Sequence, residues 1–128
     1  MQLEILGVLE DGGLRGAAVP TNPRRTLRMP LGASLTLNAR VVRANGSPVT
    51  GGTLTWTVKK KPSDTQPSFQ KLATCADPTV FTVTPADTKQ LTAGVFVFDV
   101  WHTDGSGNRN AVVPLSPFLI EPAATPPP

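Results

Sequence analysis

The chain has 128 residues, 12 Lys and Arg against 9 Asp and Glu, a formal net charge of +3 and a pI near 9.5. It holds 11 Gly, 14 Pro, a single cysteine and no Tyr, with aromatics at only 5%. That length supports one domain with its own core. The lone Cys75 excludes an intrachain disulfide, and no run approaches the roughly 18 apolar residues of a membrane helix.

The opening stretch MQLEILGVLEDGG brings Glu4, Glu10 and Asp11 and no early Lys or Arg. This is the wrong charge for a secretory signal, so the chain is expected to be made soluble in the cytoplasm. Residues 3–9 read as a first strand, ended by Asp11-Gly12-Gly13. Pro20 and Pro23 then forbid a continuous helix. TLRMPL reads as an edge segment, because Pro30 cannot donate to a central ladder.

SLTLNARVV alternates cleanly, with Leu35, Leu37, Ala39 and Val41 on one face. It closes in the turn Ala44-Asn45-Gly46-Ser47-Pro48. TLTWTVKK follows, with Leu54, Trp56 and Val58 inward. After the polar loop KKPSDTQPS, FQKLA and TVFTVT read as shorter strands. TPADTKQL breaks the period of two. Thr84 caps it, Pro85 takes the first helical position and Asp87 completes the box, giving one helical turn.

LTAGVFVFDVWH is apolar on both faces: Phe96, Phe98, Val100 and His102 on one, Val95, Val97, Asp99 and Trp101 on the other. A half-buried strand has one apolar and one wet face. The second face therefore needs a cover. One source is the N-terminal segment folding back with Leu3, Ile5 and Val8; the other is a neighbouring molecule gripping Val95, Val97 and Trp101. The turn Asp104-Gly105-Ser106-Gly107-Asn108 follows. AVVPLSPFLI comes last, placed at an edge or a bulge by Pro114 and Pro117. EPAATPPP reads as an extended polyproline segment.

Short strands separated by turns, with no helix beyond one turn, predict an all-β, immunoglobulin-like antiparallel β-sandwich. Its parts would be an N-terminal arm or added strand (1–30), the sandwich (31–121) and a Pro-rich tail (122–128). Trp56 fits the Trp position of such a fold's third strand, and Leu37 and Phe98 take the places of its disulfide.

Chemistry is sparse. His102 is the one imidazole and reads as a rim residue, and Asp99 as the partner of a nearby Arg or Lys. No carboxylates pair at a useful spacing, so no enzyme and no cofactor are expected. Asp104-x-Ser106-x-Asn108 begins like a calcium loop, but Leu115 stands where the bidentate Glu belongs. Arg24, Arg25 and Arg28 precede the core, and Lys59, Lys60 and Lys61 follow the Trp strand. Without interleaved aromatics, these cations read as solvated charges or as ion pairs to an acidic partner, rather than as nucleic-acid contacts.

The succession LGASLTLNARVVRANGSPVTGGTLTWTVKK, then VTPADTKQLTAGVFVFDVWHTDGSGNRNAVVPLSPFLIEP, resembles the immunoglobulin-like N-terminal domain of phage baseplate upper proteins and related small virion-accessory domains. The resemblance spans residues 31–121. It implies a non-enzymatic virion structural protein that docks onto other virion proteins as capsid decoration, neck, tail or baseplate accessory. Homo- or hetero-oligomeric assembly with other virion proteins is expected, no membrane is expected for want of an apolar span, and nucleic acid is disfavoured by the lack of interleaved aromatics. The alternative expectation is a receptor- or carbohydrate-binding adhesion module, for which Trp101 is the one plausible platform.

Overall fold

The computed structural model describes residues 1–9 and 26–124. Among these, eight strands and one helical turn follow in chain order: β1 (Gln2–Leu9), β2 (Leu27–Pro30), β3 (Leu35–Arg43), β4 (Thr53–Lys59), β5 (Phe69–Thr74), β6 (Thr79–Val83), α1 (Pro85–Thr88), β7 (Gly94–Thr103) and β8 (Arg109–Glu121). A three-stranded sheet runs β1-β3-β6 and a five-stranded sheet runs β2-β8-β7-β4-β5. The two form an all-β sandwich, as the strand pattern predicted.

Alternation places the core where the sequence put it. Leu35, Leu37, Ala39 and Val41 of β3, Leu54, Trp56 and Val58 of β4, and Phe96, Phe98 and Val100 of β7 are all buried. Leu37 and Phe98, on opposite sheets, occupy the core without a disulfide. Trp56 stacks on Phe118 at 6.0 Å, meets Phe69 edge-on at 5.5 Å and tilts against Phe81 at 5.7 Å. Such pairs add to plain area burial. Set against this, the Trp56 Nε1 donor is buried without a partner among the described residues, which costs about 1–3 kcal/mol.

The sandwich departs from an all-antiparallel one at two pairs, β1 with β3 and β2 with β8, which are parallel. Parallel neighbours are joined by long crossovers rather than tight turns, so no local turn signal announces them. Both residues 2–9 and 27–30 are therefore strands of the sheets. β1 sends Ile5 and Leu9 into the core and passes so near β8 that a Cβ on Gly7 would lie 2.6 Å from the Val112 carbonyl oxygen. Glycine is what this close approach requires.

AVVPLSPFLI carries a bulge, one of the two places its prolines allow. β8 lies between β2 and β7, but β2 joins it only from Phe118 onward. Pro114 and Pro117 precede that pairing, and the ladder to β7 shifts register around Val100. A bulge is how the sheet accommodates the missing donors. TLRMPL, by contrast, is an edge strand as expected.

The helical turn forms as its cap residues dictate. The Asp87 Oδ2 atom accepts from the Thr84 backbone N–H at 2.8 Å and from Lys71 Nζ at 2.9 Å. Lys71 belongs to β5, an edge strand, so this ion pair ties the turn to that edge. Among the described residues no helix is long and apolar enough to cross a membrane.

Candidate functional site on the outer face of the five-stranded sheet

Alternate residues of each strand in the five-stranded sheet point away from the core. Across its width the register sets Arg28 of β2 beside Leu119 of β8, and Leu119 beside Val95 of β7. The adjoining row sets Pro117 beside Val97, and Val97 beside Lys59 of β4. Val95 is 65% exposed, Val97 and Leu119 are half-buried, and Arg28 is exposed. An apolar strip thus runs between two cations that stand three strand spacings, about 14 Å, apart across the sheet and two residues apart along it. Lys60 and Lys61 continue from Lys59 as exposed residues of the β4–β5 loop. Arg24 and Arg25 lie outside the described residues.

β1, carrying Leu3, Ile5 and Val8, does not cover this strip, because it belongs to the other sheet. Its apolar side was already committed to the core through Ile5 and Leu9, while Val8 faces outward beside Val42. What does approach the face is the β4–β5 loop. Pro62, Thr65 and Pro67 wall a groove of about 310 Å³ whose floor includes Thr57, Val97, Asp99 and Trp101.

Within the groove Trp101 has partners that its sequence position did not disclose. Its Nε1–H donates to Asp99 Oδ2 at 3.0 Å, and the Arg109 guanidinium lies 4.8 Å from the ring centroid. Asp99 therefore holds the indole, in place of the expected pairing with Arg or Lys. The link is local: residues two apart on a strand share a face. Arg109 escaped notice because only the Asp104–Asn108 hairpin places it. There Asp104 Oδ1 accepts from the backbone N–H groups of Ser106 and Asn108, both at 2.9 Å. These bonds hold the Asp104 carboxyl below its usual range. The tight turn sets Arg109 opposite Thr103, from where its long side chain reaches the ring. Gln70 also went unmarked; its Nε2 donates to Thr57 Oγ1 at 2.8 Å across the β4–β5 ladder.

His102 is a core residue and not a rim one. It is 4% exposed, and its Nε2 lies 2.9 Å from the Gly51 carbonyl oxygen. Gly52 must be a glycine here: it sits at φ +74° and a Cβ would fall 2.5 Å from the Thr103 carbonyl oxygen. Cys75 is buried, with Sγ donating to the Val49 carbonyl at 3.4 Å. Burial pushes its thiol up, with nearby Asp77 adding to the rise, against a hydrogen bond to Thr79. Among the described residues no three His, Cys, Asp or Glu side chains gather as a metal site.

No protein-family model matches the sequence, and no curated protein matches it. Solved structures do resemble the fold. The N-terminal domain of phage TP901-1 ORF48 aligns at TM-score 0.45 and 13% identity, over 94% of this chain and 99% of that one. Reduced auracyanin from Roseiflexus castenholzii aligns at TM-score 0.44 and 12% identity, over 93% and 97% of the two chains. Reduced rusticyanin aligns at 0.43 and 14%, over 94% of this chain and 79% of its own. Likeness at this level concerns sandwich architecture and assigns no function.

Proposed function

We propose that this chain is a non-enzymatic phage virion structural protein that docks onto neighbouring virion proteins through the outer face of its five-stranded sheet. The supporting observation is the strip Leu119–Val95–Val97 bracketed by Arg28 and Lys59. Apolar side chains ringed by charge are the anatomy of a protein interface, whose core is apolar and whose rim is polar. The fitting partner offers an apolar ridge with acidic residues to either side, and the cations steer its approach. The sequence resemblance to phage baseplate domains supplies the setting.

Replacing Val95 by Asp tests the docking role. Val95 is 65% exposed, so the folded chain should lose no more than about 0.5 kcal/mol. Incorporation into phage particles, measured by complementation with the variant, should fall at least about tenfold, as truncation of a central interface residue does. Undiminished incorporation would remove this face from the assembly.

A further inference from the structure

The Trp101 half of the same face has a different character from the Val95 half. Its groove, about 310 Å³, sits at the small end of the range for small-molecule sites, roughly 300–1,000 Å³. Its polar groups are fixed rather than free to swing. Asp99 is held by the indole N–H, Gln70 by Thr57, and Arg109 by the face of Trp101. Each keeps unused capacity. An ionised carboxylate accepts at both oxygens and a guanidinium carries five N–H donors, so Asp99 Oδ1, the Gln70 amide oxygen and the outer edge of Arg109 remain available to a ligand.

We propose that this groove is a binding site for an acidic oligosaccharide, with one or two sugar rings lying between Arg109 and Lys59. Neither cation is ion-paired among the described residues, and together they outnumber the single Asp99 carboxylate. A ligand carboxylate or phosphate therefore finds charge-assisted donors, with Arg109 able to bind it bidentately. The fixed acceptors need hydroxyl donors, which sugar rings present at several positions, and the Trp101 edge with the proline wall supplies apolar contact for ring C–H groups. A bare phosphate would leave Asp99 facing an anion with nothing to donate. Asp99 and Gln70 stand on either side of Thr57, about 10 Å apart, so separate hydroxyls along one or two rings meet them, where the side chains of an acidic peptide offer none. The groove shares Lys59 and Val97 with the docking strip, but Arg109 and Trp101 lie outside that strip and test the site apart from it.

The test is a glycan array probed with the full chain, carrying uronate-, sialate- and phosphate-bearing oligosaccharides beside neutral ones, followed by titration of the best hit. Acidic glycans alone should be retained, with loss of binding in 0.5 M salt on the order expected for exposed charges. Titration should change the emission of half-exposed Trp101, Trp56 being sealed in the core. Arg109→Gln, at an exposed position, should weaken binding at least about tenfold, with thermal stability and particle incorporation unchanged. Trp101→Phe should do the same in part. Equal retention of neutral glycans, no retention at all, tighter binding of a Glu-rich decapeptide than of any glycan, or full affinity in Arg109→Gln would each overturn the proposal.

Discussion

Single residues in this molecule act mainly by what they leave out. Gly7 lets β1 and β8 touch, since a Cβ there would sit 2.9 Å from the Val112 Cβ. Gly7→Ala should therefore destabilise the fold by about 1–3 kcal/mol, the usual cost of overpacking, and chemical denaturation would read it. A neutral result would mean that the two strands move apart freely. Cys75 is withheld from solvent in the same sense. Its buried thiol, pushed up by the low-polarity surroundings, should react with an aromatic disulfide reagent at pH 8 at least about tenfold slower than free cysteine. Denaturant should restore the normal rate, and immediate reaction of the native chain would contradict the burial. Reading the sequence identified Trp56 and Leu37 as core from clean alternation, and Phe98 from its place in the immunoglobulin-like pattern. It missed Arg109, whose position depends on a hairpin register that no single residue encodes.

At the scale of elements, β3, β4 and β7 were legible because each buries one face and carries its own period. The parallel pairings of β1 and β2 were not. Their partners lie far along the chain, and parallel pairing leaves no turn residues to read. α1 was legible down to its cap, and its ion pair has a pH signature. Desolvation pushes Asp87 up, but hydrogen bonds from Thr84 and Lys71 and the Lys71 charge outweigh it, so the net shift is downward from 3.8. A carboxylate whose folded pKa is depressed stabilises the fold above the unfolded value, and that contribution vanishes as pH falls through the folded one. Wild type should thus melt above Asp87→Asn at about pH 6, with the gap shrinking below about pH 4 and vanishing once pH has fallen through the depressed folded value. A gap that ignores pH would show that the Lys71–Asp87 pair does not tie α1 to β5.

For the whole molecule, the sandwich leaves one broad face of its larger sheet without cover from any described strand. Sequence alternation announced that face, because LTAGVFVFDVWH carries apolar residues on both sides. It could not say whether the first residues of the chain would cover it, since β1 was equally able to join either sheet. Placement of β1 in the other sheet, with Ile5 and Leu9 buried in the core, decided that, and among the described residues no strand covers the face. Its two halves then divide by chemistry: an apolar strip at Val95 suited to protein, and a polar groove at Trp101 suited to a sugar acid. The proposed assembly role rests on the first half. Quantitative mass spectrometry of purified phage particles from the chain's source, with copies counted against a known coat protein, tests that role most directly. The account predicts the chain in every preparation at a fixed stoichiometry, retained through density-gradient purification. Abundance in the lysate together with absence from the particles would contradict it.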